Sequence, residues 1–190
     1  MKRNYKYIYS LYLKIALFAC LLFLNSTFSL SQTQIDSYNA INGLELGAKL
    51  QDLKPELYLI TGKESIYQNN EFLAKSYKRN LEKGMQEAIY EGNKMDVING
   101  SKSSDTRLHF YKEELYKVRW TFKKNEFPFL RSIYSDFLSY FEKRLGPPND
   151  MVFDDMVVWK GSLIRLQVFL DSESIQIELR DEKTETLTKQ

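Results

Sequence analysis

The side chains that most often carry acid–base, nucleophilic or metal chemistry are scarce in this chain, which has one histidine, His109, and one cysteine, Cys20. His109 could act as a general base. However, the segment TRLHFYKEELYKVRW places Lys117 and Arg119 on the strand expected to pair with it, and nearby cations disfavour the imidazolium. A zinc site would need further histidine or cysteine ligands, which the chain lacks after Cys20. We therefore predict that His109 is an ordinary sheet-surface histidine.

The carboxylates and serines match no catalytic or metal-binding motif. Asp154-Asp155 and the segment DSES at 171–174 supply oxygen ligands, but neither has the alternating spacing and glycine of an EF-hand loop. Turn chemistry explains DSES more simply. A G-x-S-x-G motif is absent, and the glycines stand singly at turn or helix-end positions rather than in a phosphate-binding loop. The sequence therefore predicts no cofactor, no metal and no enzymatic activity.

Residues 1–31 are typical of a secretory signal peptide. Four basic residues and no acidic residue accompany an uncharged apolar run from Ile15 to Leu24, and Ser29 and Ser31 are the small residues at positions −3 and −1 before Gln32. The run of ten residues is too short for a bilayer core of about 30 Å. We predict cleavage between Ser31 and Gln32, export to the periplasm or the medium, and no stable membrane span in the mature chain.

Cys20 offers a different use of the same segment. The sequence LFAC at 17–20 resembles a bacterial lipobox, in which the cysteine is lipidated. Phe18 is bulkier than that motif usually has, and four further apolar residues follow the cysteine where mature, polar sequence is expected. A lipoprotein attached through Cys20 is therefore the minor alternative to cleavage near Ser31.

The composition of the mature chain limits its partners. Cleavage would remove 31 of 190 residues and leave 159, which suits one domain with a sizeable core. The leader holds four of the 27 basic residues and none of the 25 acidic ones, so the mature net charge is about −2. This balance argues against a nucleic-acid partner. We predict a flexible lead-in at 32–40, a single domain at 41–182 and a disordered tail at 183–190.

The first β region is a hairpin formed by alternating apolar residues between 108 and 122. Paired residues of a hairpin point to the same face of the sheet. A three-residue turn, Lys112 to Glu114, pairs Phe110 with Tyr116 and Leu108 with Val118, which keeps the apolar set together. A two-residue turn at Glu113-Glu114 would split that set between the faces. We predict the first register.

The second β region, near the C-terminus, reads as a three-stranded meander. A type II′ turn at Gly161-Ser162 would pair Trp159 with Ile164 and Val157 with Leu166. The turn at 171–174 would then pair Leu166 with Leu179. Both turns place the same residues on one core face: Val157, Trp159, Ile164, Leu166, Val168, Leu170, Ile175, Ile177 and Leu179.

Two amphipathic helices accompany these strands. Leu73, Tyr77 and Leu81 are spaced by four residues before Gly84, and a longer apolar stripe runs from Pro128 to Leu145 before Gly146-Pro147-Pro148. The order of helix, hairpin, helix and meander predicts an α+β fold: an antiparallel sheet of about five or more strands with helices packed on one face. The segment 92–105 is rich in Gly, Asn and Ser and is predicted to be a loop.

Short stretches of the chain resemble a known class of protein. They are GLELG at 43–47, the hairpin F-x-K-E-E-L-Y-x-V, the helix end LGPP and the strand W-K-G. These stretches resemble small exported bacterial α+β proteins of unknown function, and the layout is similar to BamE-like and β-lactamase-inhibitor-protein-like folds. The resemblance runs from about Ile41 to Asp181 through turns, caps and core positions. It implies a periplasmic or secreted domain that binds proteins, and it assigns no functional residue.

The face opposite the core face, called the outer face below, is the predicted binding surface, because it mixes arginines with aromatic and apolar side chains. A plain solvated sheet face is the simpler interpretation. The predicted role is binding of a protein or an envelope component through this face or the 92–105 loop. The alternative is a small-molecule binder with a pocket between helices and sheet, polar tips coming from Tyr77, Tyr134 or Tyr140. The candidate residues of the outer face are His109, Lys117, Arg119, Leu163, Arg165, Gln167, Phe169 and Arg180.

Overall fold

A computed structural model describes residues 34–60, 71–153 and 155–189 of the chain. The predicted signal peptide, its cleavage site at Ser31 and Gln32, and the possible lipidation site at Cys20 lie outside these residues. A helical turn at 34–36 precedes the named elements. In chain order these are β1 (Ala40–Ile41), β2 (Leu44–Glu45), α1 (Leu50–Leu53), β3 (Leu57–Leu59), α2 (Glu71–Glu82), β4 (Met85–Tyr90), β5 (Val97–Ile98), β6 (Ser101–Lys102), β7 (Asp105–Tyr111), β8 (Glu114–Lys123), α3 (Leu130–Leu145), β9 (Asp150–Phe153), β10 (Met156–Lys160), β11 (Ile164–Leu170), β12 (Ser174–Asp181) and α4 (Glu182–Thr188).

One eight-stranded antiparallel sheet organises the described residues, with the strand order β3-β4-β7-β8-β12-β11-β10-β9. Two small hairpins, β1-β2 and β5-β6, stand beside it. The predicted α+β class with an antiparallel sheet is therefore confirmed. No helix within the described ranges is long and apolar enough to cross a membrane.

Helix α3 covers the core face of the sheet. It buries one stripe that includes Phe137 and Phe141, and it ends at Gly146, whose φ of 75° allows the chain to leave the helix before Pro147. Burial of a phenylalanine of this kind stabilises the fold by roughly 1.5–3 kcal/mol. The indole N–H of Trp159, one of the two tryptophans in the core, donates to the Gly146 carbonyl at 2.9 Å, so this large side chain is also hydrogen-bonded. All nine residues predicted for the core face are buried there.

The first hairpin differs from its predicted register at the turn. Leu108 pairs with Val118 as predicted, but Phe110 pairs with Leu115, and the turn consists of Lys112-Glu113 alone. Both turn residues have positive φ, 50° and 68°, which suits a tight hairpin turn despite the absence of glycine. Tyr116 becomes the extra residue of a bulge and leaves the core face. The predicted pair of Phe110 with Tyr116 is therefore wrong.

Neighbouring backbone explains why this strained turn is retained. The Lys112 N–H donates to the carbonyl of Gly84 at 2.8 Å, and the Glu113 carbonyl accepts from the Leu50 N–H at 2.9 Å. The turn is thus held from both sides, by the end of α2 and by the start of α1. Neither contact can be predicted from the sequence of the hairpin alone.

The residues of the meander lie on the predicted faces of the sheet, but the register between β10 and β11 differs from the prediction. Leu166 pairs with Leu179 and the turn at 171–174 is confirmed, but Trp159 pairs with Leu166 rather than with Ile164. The predicted two-residue turn at Gly161-Ser162 is therefore wrong. Because the shift is two residues, and side chains alternate with a period of two, every core residue stays on its face.

Asp36 is the physical cause of that shift. Its carboxylate accepts the backbone N–H groups of Ser162 at 2.9 Å, Leu163 at 2.7 Å and Ile164 at 3.0 Å, and also the Ser162 hydroxyl at 2.6 Å. These bonds satisfy the donors of a wider turn. Burial opposes ionisation of Asp36, but the hydrogen bonds from Ser162, Leu163 and Ile164 outweigh it and lower the pKa of this carboxyl.

The segment 32–40 was predicted to be a flexible lead-in. Its described part, residues 34–40, is instead packed against the rest of the domain. Ile35 is fully buried in the core, Asp36 holds the β10–β11 turn, and Ala40 begins β1. The prediction failed because the segment 32–40 is mostly polar, yet it contains one apolar side chain that is buried in the core and one carboxylate that binds backbone N–H groups.

Two further segments are more ordered than predicted. The 92–105 loop contains the β5-β6 hairpin, with Ile98 and Asp96 buried. The tail predicted to be disordered from 183 forms most of α4, whose first N–H groups are capped because the Asp181 carboxylate accepts from Thr184 N–H at 2.8 Å. Asp181 followed by Glu182 and Glu185 is a helix-start signal that the sequence analysis missed.

We expect Asp36 and Gly161 to be energetically coupled. A Cβ atom at Gly161 would overlap the Asp36 carboxylate, although the backbone of Gly161 does not have a positive φ. Asp36→Ala should lower the free energy of unfolding by about 1–3 kcal/mol through lost hydrogen bonds. Gly161→Ala should cost a similar amount in the wild type and clearly less in the Asp36→Ala background. Urea unfolding of the two single variants and the double variant measures the coupling, and strict additivity would contradict this account.

Candidate functional site

The structure brings the predicted outer-face residues together. His109 pairs across the sheet with Lys117, and Lys117 in turn pairs with Arg180. The other predicted strand residues follow in the same pattern, and Leu163 lies in the turn before β11. The cross-strand pairs are His109–Lys117, Lys117–Arg180, Arg180–Arg165, Arg119–Glu178, Glu178–Gln167 and Phe169–Gln176.

Helix α4 covers part of this face, so the face is not open as predicted. Glu185, on the inner side of α4, is buried and lies 3.6 Å from the Lys117 ammonium. The side chains of Lys117 and Arg180 are consequently only 13% and 15% exposed. The sequence predicts that these charged side chains are exposed to solvent, but most of their surface is enclosed between α4 and the sheet.

The enclosed cations are neutralised by carboxylates of the same chain. Arg119 donates two hydrogen bonds to one oxygen of the buried Glu178, at 2.9 and 3.1 Å, while Arg180 reaches its other oxygen at 3.2 Å. Glu182 lies 3.3 Å from Arg180 and 3.9 Å from Arg165. Because these pairs satisfy each other, the arginines cannot be offered to an acidic partner without breaking partly buried ion pairs. The charged cluster is therefore a poor binding surface.

Glu185 remains ionised within this cluster. Burial disfavours its charged form, but Lys117, Lys189 and Arg180 together outweigh the burial and lower the pKa of Glu185. Its carboxylate thus fastens α4 to the sheet at neutral pH.

His109 is half-buried on the outer face and its Nε2 atom is fully buried, which corrects the prediction of an ordinary surface histidine. Its Nε2 atom is buried without a hydrogen-bond partner, beside a cavity of about 70 Å³ between α2, β4 and Tyr116. Burial first, and then the charges of Lys117, Arg119 and Arg107, hold the pKa of His109 well below its usual value. Such a cavity accommodates about two water molecules. The geometry therefore suits a neutral packed imidazole better than a general base acting on a substrate.

The three tyrosines of the small-molecule hypothesis do not converge. Tyr77 borders the small cavity on the outer face, Tyr134 lies on the buried side of α3, and Tyr140 has the Arg144 guanidinium 3.5 Å from its ring centroid. A larger groove of about 590 Å³ does exist at the start of α3, next to the β11–β12 turn. Two of its polar side chains pair with each other, since Arg131 donates to Asp155 at 3.1 Å.

Exposed apolar side chains mark a different surface that the sequence analysis missed. Phe129, Met151 and Phe153 are 76%, 70% and 73% exposed. Phe129 directly precedes α3 and Phe153 ends β9, each two residues from one member of the Arg131–Asp155 pair. Met151 and Phe153 both lie on β9, the strand at the end of the sheet, and this edge with the start of α3 forms one border of the molecule. Because of a register shift, Met151 pairs with Val157 and Phe153 with Met156, so the two side chains flank the edge on opposite faces. The alternation of Met151 and Phe153 after Pro148 was the available sequence signal for an edge strand.

Beside Met151, a groove of about 380 Å³ separates α3 from β9. We call it the edge groove. Its residues are Leu138 and Glu142 of α3, Pro148, Met151, Val157 and Trp159.

Among the described residues, no group of three or more His, Cys, Asp or Glu side chains is placed to hold a metal ion. Comparison of the chain with protein-family models, with curated proteins and with solved structures finds no match.

The burial of the His109 Nε2 atom, together with the cations around the ring, predicts a pH dependence of stability. The unfolded chain takes up a proton near pH 6.5, whereas the folded protein does not, so His109 favours folding above pH 6.5 and this contribution is lost as the pH falls. Between pH 8 and pH 5 the wild type should lose up to about 2 kcal/mol more than a His109→Gln variant. Urea unfolding across this pH range measures the difference in unfolding free energy between the two proteins. The contributions of the carboxylates are the same in both proteins and cancel in this difference. Parallel curves for the two proteins would contradict an enclosed, neutral imidazole.

Proposed function

We propose that the chain is an exported, non-enzymatic α+β domain that binds another protein or a component of the cell envelope. The signal-peptide pattern of residues 1–31 supports export. The packing of Ile35 and Asp36 supports the predicted cleavage position as well, because cleavage before Gln32 would retain both anchors. The enclosure of His109 supports a role other than catalysis.

The exposed border formed by Phe129, Met151 and Phe153 is the observation that carries the binding role. Single exposed apolar side chains are common on protein surfaces, whereas several along one border are typical of interaction sites. Each of these residues keeps at least 70% of its surface in solvent, although the sheet beside them has a closed apolar core. A partner would remove this apolar surface from water, which is the main source of favourable binding free energy.

The outer face is the weaker choice for the same role. Its lysine and arginine side chains are engaged with Glu178, Glu182 and Glu185. Leu163 is exposed in the turn, and Phe169 is only partly exposed on β11. We therefore place the proposed partner on the border at β9 rather than on the predicted charged surface.

A small-molecule binder remains the second candidate, favoured by the volume of the groove at the start of α3. About 590 Å³ falls within the range of ligand pockets. Addition of the low-molecular-mass fraction of a cell-envelope extract should raise the Tm of the protein if this candidate is right. No shift is expected under the main proposal.

Capture experiments test the main proposal. Partners recovered from a cell-envelope extract by the wild type should fall at least about tenfold with a Met151→Ser/Phe153→Ser double variant, because two apolar anchors are lost. The matched control is Leu163→Ser/Leu187→Ser, which truncates two other exposed apolar residues at the α4 end. Quantitative mass spectrometry of the captured proteins is the readout. Equal recovery by both double variants and the wild type would reject the β9 border as the binding surface.

A further inference from the structure

The edge groove has a floor that is already formed. Val157 and Trp159 are buried core residues, and the Trp159 indole is fixed by its hydrogen bond to the Gly146 carbonyl. Asn149 ties the start of β9 to the end of β10, because its amide donates to the Lys160 carbonyl at 2.6 Å and accepts from the Lys160 N–H at 2.8 Å. A preformed site loses little conformational freedom on binding. The volume of about 380 Å³ is sufficient for one large apolar side chain.

The lining of the edge groove carries one acidic side chain and no basic one. Glu142 lines it from α3, is exposed, and has no ion-pair partner among the described residues. Asp150, next to Met151 on β9, belongs to the opposite face, since neighbouring residues of a strand point to opposite faces of the sheet. Asp155, further along, already pairs with Arg131. Unlike the carboxylates of the outer face, Glu142 is thus available to a cationic partner.

We infer that the edge groove binds a segment of another protein in which a large apolar side chain is flanked by lysine or arginine. This inference rests on the proposed binding function and names its partner chemistry. The apolar side chain enters between Leu138 and Met151, and the flanking cation meets Glu142.

Two other occupants fit less well. A second copy of the chain, docked groove to groove, would bring the Glu142 carboxylates of two molecules together, which is unfavourable. Addition of a partner strand to β9 is hindered, because this strand has only four residues, pairs with a register shift and follows Pro148. Short, irregular edges of this kind resist strand pairing.

Selection of short random peptides displayed on phage tests the inference. The full chain serves as the target, and a Met151→Glu variant is used to remove peptides that bind elsewhere. Enriched peptides should carry an aromatic or long aliphatic residue with adjacent lysine or arginine. Their affinity should fall about five- to tenfold for Glu142→Lys and stay unchanged for the control Asp52→Lys, which reverses one exposed acid elsewhere.

Several outcomes would overturn the inference. The inference is wrong if the enriched peptides are acidic or uncharged, or if they bind the charge-reversed variant equally well. It is also wrong if their enrichment does not depend on Met151. Sedimentation analysis showing a dimer that Met151→Glu dissociates would identify a second copy as the occupant instead. If peptides fail while the envelope partner is still lost with Met151→Ser/Phe153→Ser, the proposed function stands and only the partner chemistry is wrong. Circular dichroism and Tm confirm that each variant is folded.

Discussion

The closure of one apolar sheet face by α3 is the constraint on which the other features depend. Strands β7, β8, β10, β11 and β12 place alternate residues under this helix, with Trp120 and Trp159 among the most deeply buried. Since strand side chains alternate, the same closure commits the intervening residues to the outer face. The lysines and arginines of β8, β11 and β12 reach that face because they stand between core residues.

The positive charges of the outer face then need neighbouring negative charges. Once α4 covers Lys117 and Arg180, their charges lose contact with water and require carboxylates, which Glu178, Glu182 and Glu185 provide. Such pairs add little net stability, but removing one partner leaves an uncompensated charge and is costly. The C-terminal helix is therefore part of the fold, and the charges of the cluster under it are neutralised by carboxylates of the chain itself.

These relations also explain what the sequence could predict. The side-chain period of two made the core face predictable even where the register was wrong: the two-residue shift at Gly161 left Trp159 and Leu166 in the core. A bulge changes parity, so Tyr116 moved to the outer face. The causes of both departures, the Asp36 carboxylate and the backbone around Lys112, lie far away in the chain. The candidate site depends on the same long-range information, since exposure of Met151 becomes visible only when β9 is placed at the end of the sheet.

Residue type alone therefore separates binding surfaces from structural ones poorly in this protein. Arg119 and Arg180 have the composition of an interface, yet Glu178 meets their hydrogen-bonding needs. Met151 and Glu142 are less distinctive in sequence, but the described fold leaves the first in solvent and the second without an ion-pair partner. A surface gains free energy from a partner in proportion to the apolar area and the charge that its own fold has not already satisfied. By that criterion the proposed partner would gain more free energy from the border between α3 and β9 than from the arginine-rich face.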